Sequence, residues 1–303
     1  MQLLKALCEI QAPSGNEAEM TNFLLQYINK QKKEWKVEPR IYSGEDFQDC
    51  LVLSFGKPRT AVFAHLDSVG FTVRYHNQLV PIGSPDLANG YHLTGNDSLG
   101  PIDCELRVDE HNYLTHNFAR SIDRGTDLVY KCNFRDRSDY IQSSYLDNRL
   151  GVYATLKLAE TLENGVIVYS CGEEHGGGTV PFLTKFLYEK LKIRQALVAD
   201  ITWITDGIQP GQGVVISLRD RLIPRKKYIN QILEIAHHSG IPFQMEVEAS
   251  GSSDAREINA SPYPVDWCFI GAAEEYVHSP DEQVHKNDIL SMIQIYRVLM
   301  EHL

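Results

Sequence analysis

Val166-Ile167-Val168-Tyr169-Ser170-Cys171-Gly172-Glu173-Glu174-His175-Gly176-Gly177-Gly178 sets an apolar run directly before two adjacent carboxylates and a glycine-rich turn. Neighbouring residues of a strand point to opposite sides. At a strand end, one carboxylate could therefore hold a metal ion while the other faces a bound water, a division that suits hydrolysis. A Glu-Glu pair alone is more often a solvated acidic turn, so the surrounding chain has to decide between the two.

Working outward, Leu51-Val52-Leu53, Ala61-Val62-Phe63-Ala64 and Gly70-Phe71-Thr72-Val73 read as strands, the second apolar enough to be buried on both faces. Ahead of them, Leu3, Leu4, Leu7 and Ile10, then Phe23, Leu24, Tyr27 and Ile28, recur at helical spacing around the break at Ala12-Pro13-Ser14-Gly15. From residue 74 to 140 the texture changes to short alternating runs separated by glycines. Helix and strand alternate again afterwards. Val152, Leu156, Ala159 and Leu162 form a helical stripe that Asn164-Gly165 is expected to stop, and Thr179-Val180-Pro181 opens the next helix. Ala196-Leu197-Val198-Ala199, Val214-Val215-Ile216 and Val265 to Ile270 are further strands, and a closing helix runs through Ile289, Met292, Tyr296 and Leu299 with Asn287 as its expected N-cap. The expectation is an α/β fold with a mixed, largely parallel sheet flanked by helices, formed by residues 1–73 and 141–303. A small all-β, barrel-like domain, residues 74–140, is inserted into it.

Composition narrows the function classes. With 43% hydrophobic residues and no apolar run near the roughly 18 residues of a membrane span, the chain reads as globular, with no membrane or signal segment and a cytoplasmic setting by default. The 6 cysteines are scattered with no Cys-x-x-Cys pair, which fits reduced, buried thiols. A net charge of −11 without a basic stripe argues against nucleic acid as a partner. Arg225-Lys226-Lys227 reads as the solvated start of a helix.

Residues able to bind metal stand just beyond several of these buried strands: His65, Glu173-Glu174 and Asp200. Open α/β sheets bind ligands in the crevice outside the carboxyl ends of their strands, where distant residues converge. Asp147, opening a helix, and His278, in Tyr276-Val277-His278-Ser279-Pro280, complete a plausible ligand set. Each has a bland alternative, such as an N-cap for Asp147 or a hydrogen-bonded core histidine for His65. The spacing His65-Leu66-Asp67 favours the joint hypothesis, because Asp67 could fix the imidazole tautomer as ligating histidines require. His175 is more readily a turn residue than a substrate contact, and the other histidines lack any such setting.

His65-Leu66-Asp67, Leu146-Asp147-Asn148-Arg149-Leu150-Gly151, Glu173-Glu174, Val198-Ala199-Asp200 and His278-Ser279-Pro280, in this order, resemble the glutamyl or tetrahedral-aminopeptidase family of co-catalytic metallopeptidases. The resemblance spans nearly the whole chain. The long interval between His65 and Asp147 fits that family, which carries its β insertion there, and the interval from Asp200 to His278 leaves no room for the lid domain of related carboxypeptidases and deacylases. The resemblance implies a zinc-exopeptidase-like fold and two divalent ions per subunit, zinc with cobalt or manganese as substitutes. Asp147 would bridge the ions, His65 and Asp200 would complete one and Glu174 and His278 the other. Glu173 would be the general base and acid, with Asp67 supporting catalysis. The family also tends to carry a cis peptide after the bridging Asp. The implied activity is removal of N-terminal residues from short peptides by a homo-oligomer, at least a dimer. An amidohydrolase acting on N-acylated amino acids, or a metal-binding scaffold without catalysis, are the alternatives. Ser250-Gly251-Ser252-Ser253-Asp254-Ala255 resembles a loop near the family's substrate pocket but reads equally well as a helix-capping loop, and the side-chain preference of the pocket stays open.

Overall fold

A computed structural model describes residues 1–303. Two helices, α1 (Gln2–Cys8) and α2 (Ala18–Gln31), lead into β1 (Arg40–Tyr42), β2 (Leu51–Phe55) and β3 (Ala61–His65). Six strands follow: β4 (Gly70–Val73), β5 (Leu79–Ile82), β6 (His92–Asp97), β7 (Gly100–Val108), β8 (Leu114–His116) and β9 (Asp127–Tyr130). The chain returns through β10 (Arg135–Asp136), β11 (Tyr140–Ser143), α3 (Leu146–Ala159), β12 (Gly165–Ser170), α4 (Val180–Phe186) and β13 (Gln195–Trp203). It closes with β14 (Val214–Arg219), α5 (Lys226–Ser239), β15 (Phe243–Val247), α6 (Ala255–Ala260), β16 (Asp266–Glu275), β17 (Glu282–His285) and α7 (Lys286–His302).

The larger sheet has 11 strands, with the main order β1-β2-β12-β3-β13-β16-β17-β11-β10. Its centre, β12-β3-β13-β16, is parallel, and antiparallel strands extend it on either side. β14 pairs antiparallel with β16 and carries β15 as a parallel edge strand. Every residue of β3 and β12 is buried, as uninterrupted apolar runs in a covered parallel sheet should be. Register then places the site. Ser170 pairs with His65, so the turn after β12 emerges beside the end of β3, and β13 runs on the other side of β3. Helices α3 and α7 pack on each other and on the sheet, while α4 and α6 pack together against β12 and β16.

The second sheet, in the order β5-β4-β9-β6-β7-β8, is antiparallel throughout, and a bridge from Gln78 to Thr115 brings its outer strands together into a nearly closed barrel. It has its own apolar core of 14 buried residues, including Phe71, Leu93 and Tyr130. Its strand membership starts earlier than the sequence boundary: β4 belongs to the barrel, while β10 pairs with β11 in the larger sheet. Gly70–Val73 reads as a strand and lies before the change of texture at residue 74, so nothing in the sequence signals that it joins the barrel rather than the larger sheet.

Two helix boundaries differ from expectation. The α3 stripe ends at Ala159, and Gly165 instead begins β12, while the Asn164 side chain accepts from Lys57 N–H at 2.7 Å. The N-cap of α7 is His285, whose Nδ1 accepts from Asn287 N–H at 3.1 Å, because the strand β17 runs directly into the helix.

Candidate metal centre and active site

The six residues singled out from the sequence arrive at the carboxyl edge of the parallel strands from separate elements. His65 ends β3, Glu173 and Glu174 occupy the turn after β12, and Asp200 lies in the outer half of β13. Asp147 sits at the start of α3 with non-helical backbone, and its bond to Asn148 is cis. Asn148 anchors this turn, donating to Ala199 O at 2.8 Å and accepting from Gly151 N–H at 2.9 Å. His278 follows β16.

Asp147 divides its carboxylate between two groups. Oδ1 lies 3.1 Å from His65 Nε2, which is 3.5 Å from Asp200 Oδ2. Oδ2 lies 3.3 Å from His278 Nε2, which is 3.2 Å from Glu174 Oε2. Donor atoms of His65, Asp147 and Glu174 all fall within 4.8 Å of one another. Both imidazoles turn Nε2 inward because Nδ1 meets a backbone carbonyl, Asp67 O at 3.2 Å for His65 and Ser84 O at 2.9 Å for His278. Glu174 Oε1 is buried with no hydrogen-bond partner. A buried carboxylate with one oxygen against an inward imidazole and the other orphaned fits divalent cations better than a closed hydrogen-bond network.

The electrostatics agree. Burial, with Asp147 alongside, raises the carboxyls of Glu174 and Asp200. Asp147 moves down despite its burial, held there by His278 and His65. Burial works against the His278 imidazolium, yet Asp147 and Glu174 push its pKa up to about 10. Such a cluster holds protons in place of cations, and loading it with metal would release them.

Asp67 is fully buried and organises the acidic pair. Its Oδ1 accepts from Glu173 N–H and its Oδ2 from Glu174 N–H, both at 3.0 Å, and Ser14 Oγ donates to Oδ2 at 2.6 Å. Glu173 lines the cavity yet belongs to neither of the Asp147 groups, and burial raises its carboxyl well above the usual range.

Sequence reasoning missed Glu282. Its Oε2 accepts from Asp147 N–H at 3.2 Å and its Oε1 from His278 N–H at 3.0 Å, so one buried side chain orients the backbone of both residues. The available signal was the alternation of β17, which places Glu282 with Val284 on the buried face. The barrel also reaches the site. Gly83 N–H donates to His175 Nδ1 at 3.0 Å, and Asp86 N–H donates to His278 O at 2.9 Å. Gly83 has φ +68°, and a Cβ there would stand 3.1 Å from Glu174 O, so only glycine suits this approach. His175 thus ties the turn to the barrel and does not line the cavity, whereas Ser250, Gly251 and Ser252 do.

Glu17, the N-cap residue of α2, braces the same turn, its Oε1 accepting from Gly15 N–H at 3.0 Å and Gly172 N–H at 3.1 Å. Burial raises its pKa to about 7. Because the folded value lies above the unfolded one, the protonated side chain stabilises the fold fully below about pH 4.5, and that stability is lost as pH rises through about 7. Glu17→Gln keeps the acceptor and removes the titration. Urea unfolding from pH 5 to 8 is expected to show a flatter profile for this variant, with a gain of about 2–3 kcal/mol at pH 8. Parallel profiles for the two proteins would refute the assignment.

Proteins of known structure share this architecture. The aminopeptidase APDkam598 of Desulfurococcus kamchatkensis superposes with a TM-score of 0.87 at 21% identity, covering 100% of this chain and 94% of that one. The Pyrococcus horikoshii TET1 peptidase, which can assemble into a tetrahedron or a large octahedral shell, gives 0.84 at 19% identity over 99% and 98%. A protein of Acetivibrio thermocellus with a provisional aminopeptidase name is 24% identical over 97% of this chain and 96% of its own. Residues 96–295, well over half of the sequence and including four of the five proposed ligand positions, match the model of the M42 glutamyl aminopeptidases. The chain therefore belongs to the M42 glutamyl aminopeptidase family and is a peptidase.

Proposed function

We propose that this aminopeptidase removes N-terminal residues from short peptides and depends on two divalent ions: His65 and Asp200 would hold one, Glu174 and His278 the other, and Asp147 would be shared between them. The observation that carries the reading is the divided carboxylate of Asp147, with Oδ1 toward His65 and Oδ2 toward His278. A mixed imidazole and carboxylate donor set suits zinc, with cobalt or manganese as substitutes. When bound, such ions supply Lewis acidity, polarising the scissile carbonyl and acidifying a water beside it.

The remaining chemistry belongs to the chain. Glu173 accepts the proton of the attacking water and delivers it to the departing amine. Asp67 holds the Glu173-Glu174 backbone and the edge of His65, so the base and the donors keep a fixed relation. Glu282 does the same for Asp147 and His278.

The proposal extends to organisation. The barrel and the larger sheet, with separate cores, form an inserted domain and a catalytic domain. The protein works as a homo-oligomer, at least a dimer, in line with the assembly of the P. horikoshii relative. A cytoplasmic setting completes the proposal, and no helix is long and apolar enough to cross a membrane.

Removing metal tests it. Chelation is expected to abolish cleavage of aminoacyl anilides and zinc, cobalt or manganese to restore it, with about two ions per chain by elemental analysis. His65→Ala and His278→Ala should each lose about one of them. Full activity after exhaustive chelation, or two ions retained in both variants, would overturn the ligand assignment.

A further inference from the structure

The cavity that opens from the proposed metal site, about 130 Å³, continues past the end of β13 toward the ends of β14 and β15. Three carboxylates line this outer part, Asp220, Glu246 and Glu248, and no lysine or arginine lines any of it. Asp220 and Glu246 are only 6% and 4% exposed, so they are not a solvated acidic surface. Asp220 Oδ1 accepts from Leu222 N–H at 2.6 Å, and Glu246 Oε1 accepts from the Thr202 hydroxyl. Neither forms a salt bridge. Arg219, next to Asp220 in sequence, directs Nε to the backbone carbonyls of Asp220 and Glu248, at 3.3 and 3.1 Å. A further polar atom of the cavity wall, Thr205 Oγ1, is buried with no partner.

Beside these carboxylates stands an apolar wall. Trp203, 44% exposed, lines the cavity together with Phe269, and the Gly251 loop lies against the indole. Buried carboxylates without a cation are costly, and an ammonium or guanidinium is the partner they lack. A side chain with a long apolar stem and a cationic head meets both features at once, its stem on Trp203 and its head among the acids.

We infer that the cavity selects peptides whose N-terminal residue is cationic, lysine or arginine, with Asp220, Glu246 and Glu248 as specificity-determining residues and Trp203 as the platform for the stem. The inference rests on the aminopeptidase reading and adds the substrate class. An acidic N-terminal side chain would bring a further negative charge into a cavity already short of cations. A neutral side chain of the same length would leave buried carboxylates unpaired, and sites built for a polar partner reject analogues that lack it. The net charge of −11 acts in the same direction, since a cleft lined by one sign of charge concentrates substrates of the other. Burial also raises the carboxyls of Asp220 and Glu246, and an incoming cation would oppose that shift.

Norleucine separates charge from shape, since it is close to lysine without the ammonium. Lysyl, arginyl, norleucyl and glutamyl para-nitroanilides are compared on the metal-loaded enzyme. The expected kcat/KM for the lysyl and arginyl substrates exceeds that of norleucyl by about tenfold or more, with glutamyl lowest. In Glu246→Gln the lysyl-to-norleucyl ratio is expected to fall about tenfold, and Glu248→Gln, at a partly exposed position, gives the same direction of change should the buried variant fold poorly. Norleucyl cleaved as efficiently as lysyl would overturn the inference while leaving the peptidase reading intact, as would happen if these acids receive only the α-ammonium common to all peptides. An unchanged ratio in folded variants overturns the assigned residues. Cleavage of no substrate in the panel overturns the aminopeptidase reading and the inference with it.

Discussion

Glu173→Gln is expected to lower kcat for peptide hydrolysis by about 10³-fold with little change in KM, the effect of removing a general base and acid. The substitution is nearly isosteric and leaves the Glu173 N–H bonded to Asp67 Oδ1 at 3.0 Å, so the turn should keep its shape. Glu173 stands outside both groups gathered by Asp147, so metal content is expected to match the unsubstituted protein. Stopped-assay kinetics and elemental analysis on one preparation check both halves. Turnover within about tenfold of the original would remove Glu173 from the proton-transfer role, and lost metal would place it among the ligands.

The second large effect is on stability. Arg149 is fully buried, with a guanidinium that donates to Leu66 O, to Asp67 O at 3.4 Å and to Ile10 O at 3.4 Å. It therefore joins the loop after α1, the turn carrying His65 and Asp67, and helix α3. Burial lowers its pKa, while Asp67 is among the groups that oppose the shift. Arg149→Met preserves much of the stem but withdraws every donor, leaving interior carbonyls unpaired and His65 as the buried cationic group beside Asp67. The expected loss is about 3–5 kcal/mol, or about 5–8 °C in the melting temperature of the metal-free protein. A shift smaller than about 2 °C would show that water or relaxation replaces the guanidinium.

The contrast between Arg149 and Glu173 shows what a linear sequence can disclose. Glu173, Glu174, His65 and Asp200 follow apolar runs whose pattern marks them as buried parallel strands, so their location at a carboxyl edge follows from local patterning and the general behaviour of α/β sheets. Asp147 and His278 lack that cue: they completed the candidate ligand set as a helix-opening acid and a loop histidine, and only the family resemblance gave them separate roles. Arg149 stood in the quoted motif without a role, because its value lies in carbonyls far away in the chain. Glu282 and Glu17 are of the same kind: ordinary acidic residues by sequence, made specific only by the N–H groups that the fold turns toward them. β15 went unrecognised because it is an edge strand, with Met245 and Val247 exposed and Glu246 buried, the reverse of the usual alternation. Buried polar residues of this type have no periodic signature until the fold is known.

The order of the strands has a bearing on synthesis. His65, Asp147, Glu174 and Asp200 are all translated well before His278, and Glu282, whose side chain orients the backbone of His278 and Asp147, comes later still. A chain emerging from the ribosome can pair β3 with β12 and β13, yet β16 and the final histidine must arrive before the proposed donor set is complete. With the donor set proposed above, a nascent chain would stay inactive until His278 has emerged to join the residues that precede it.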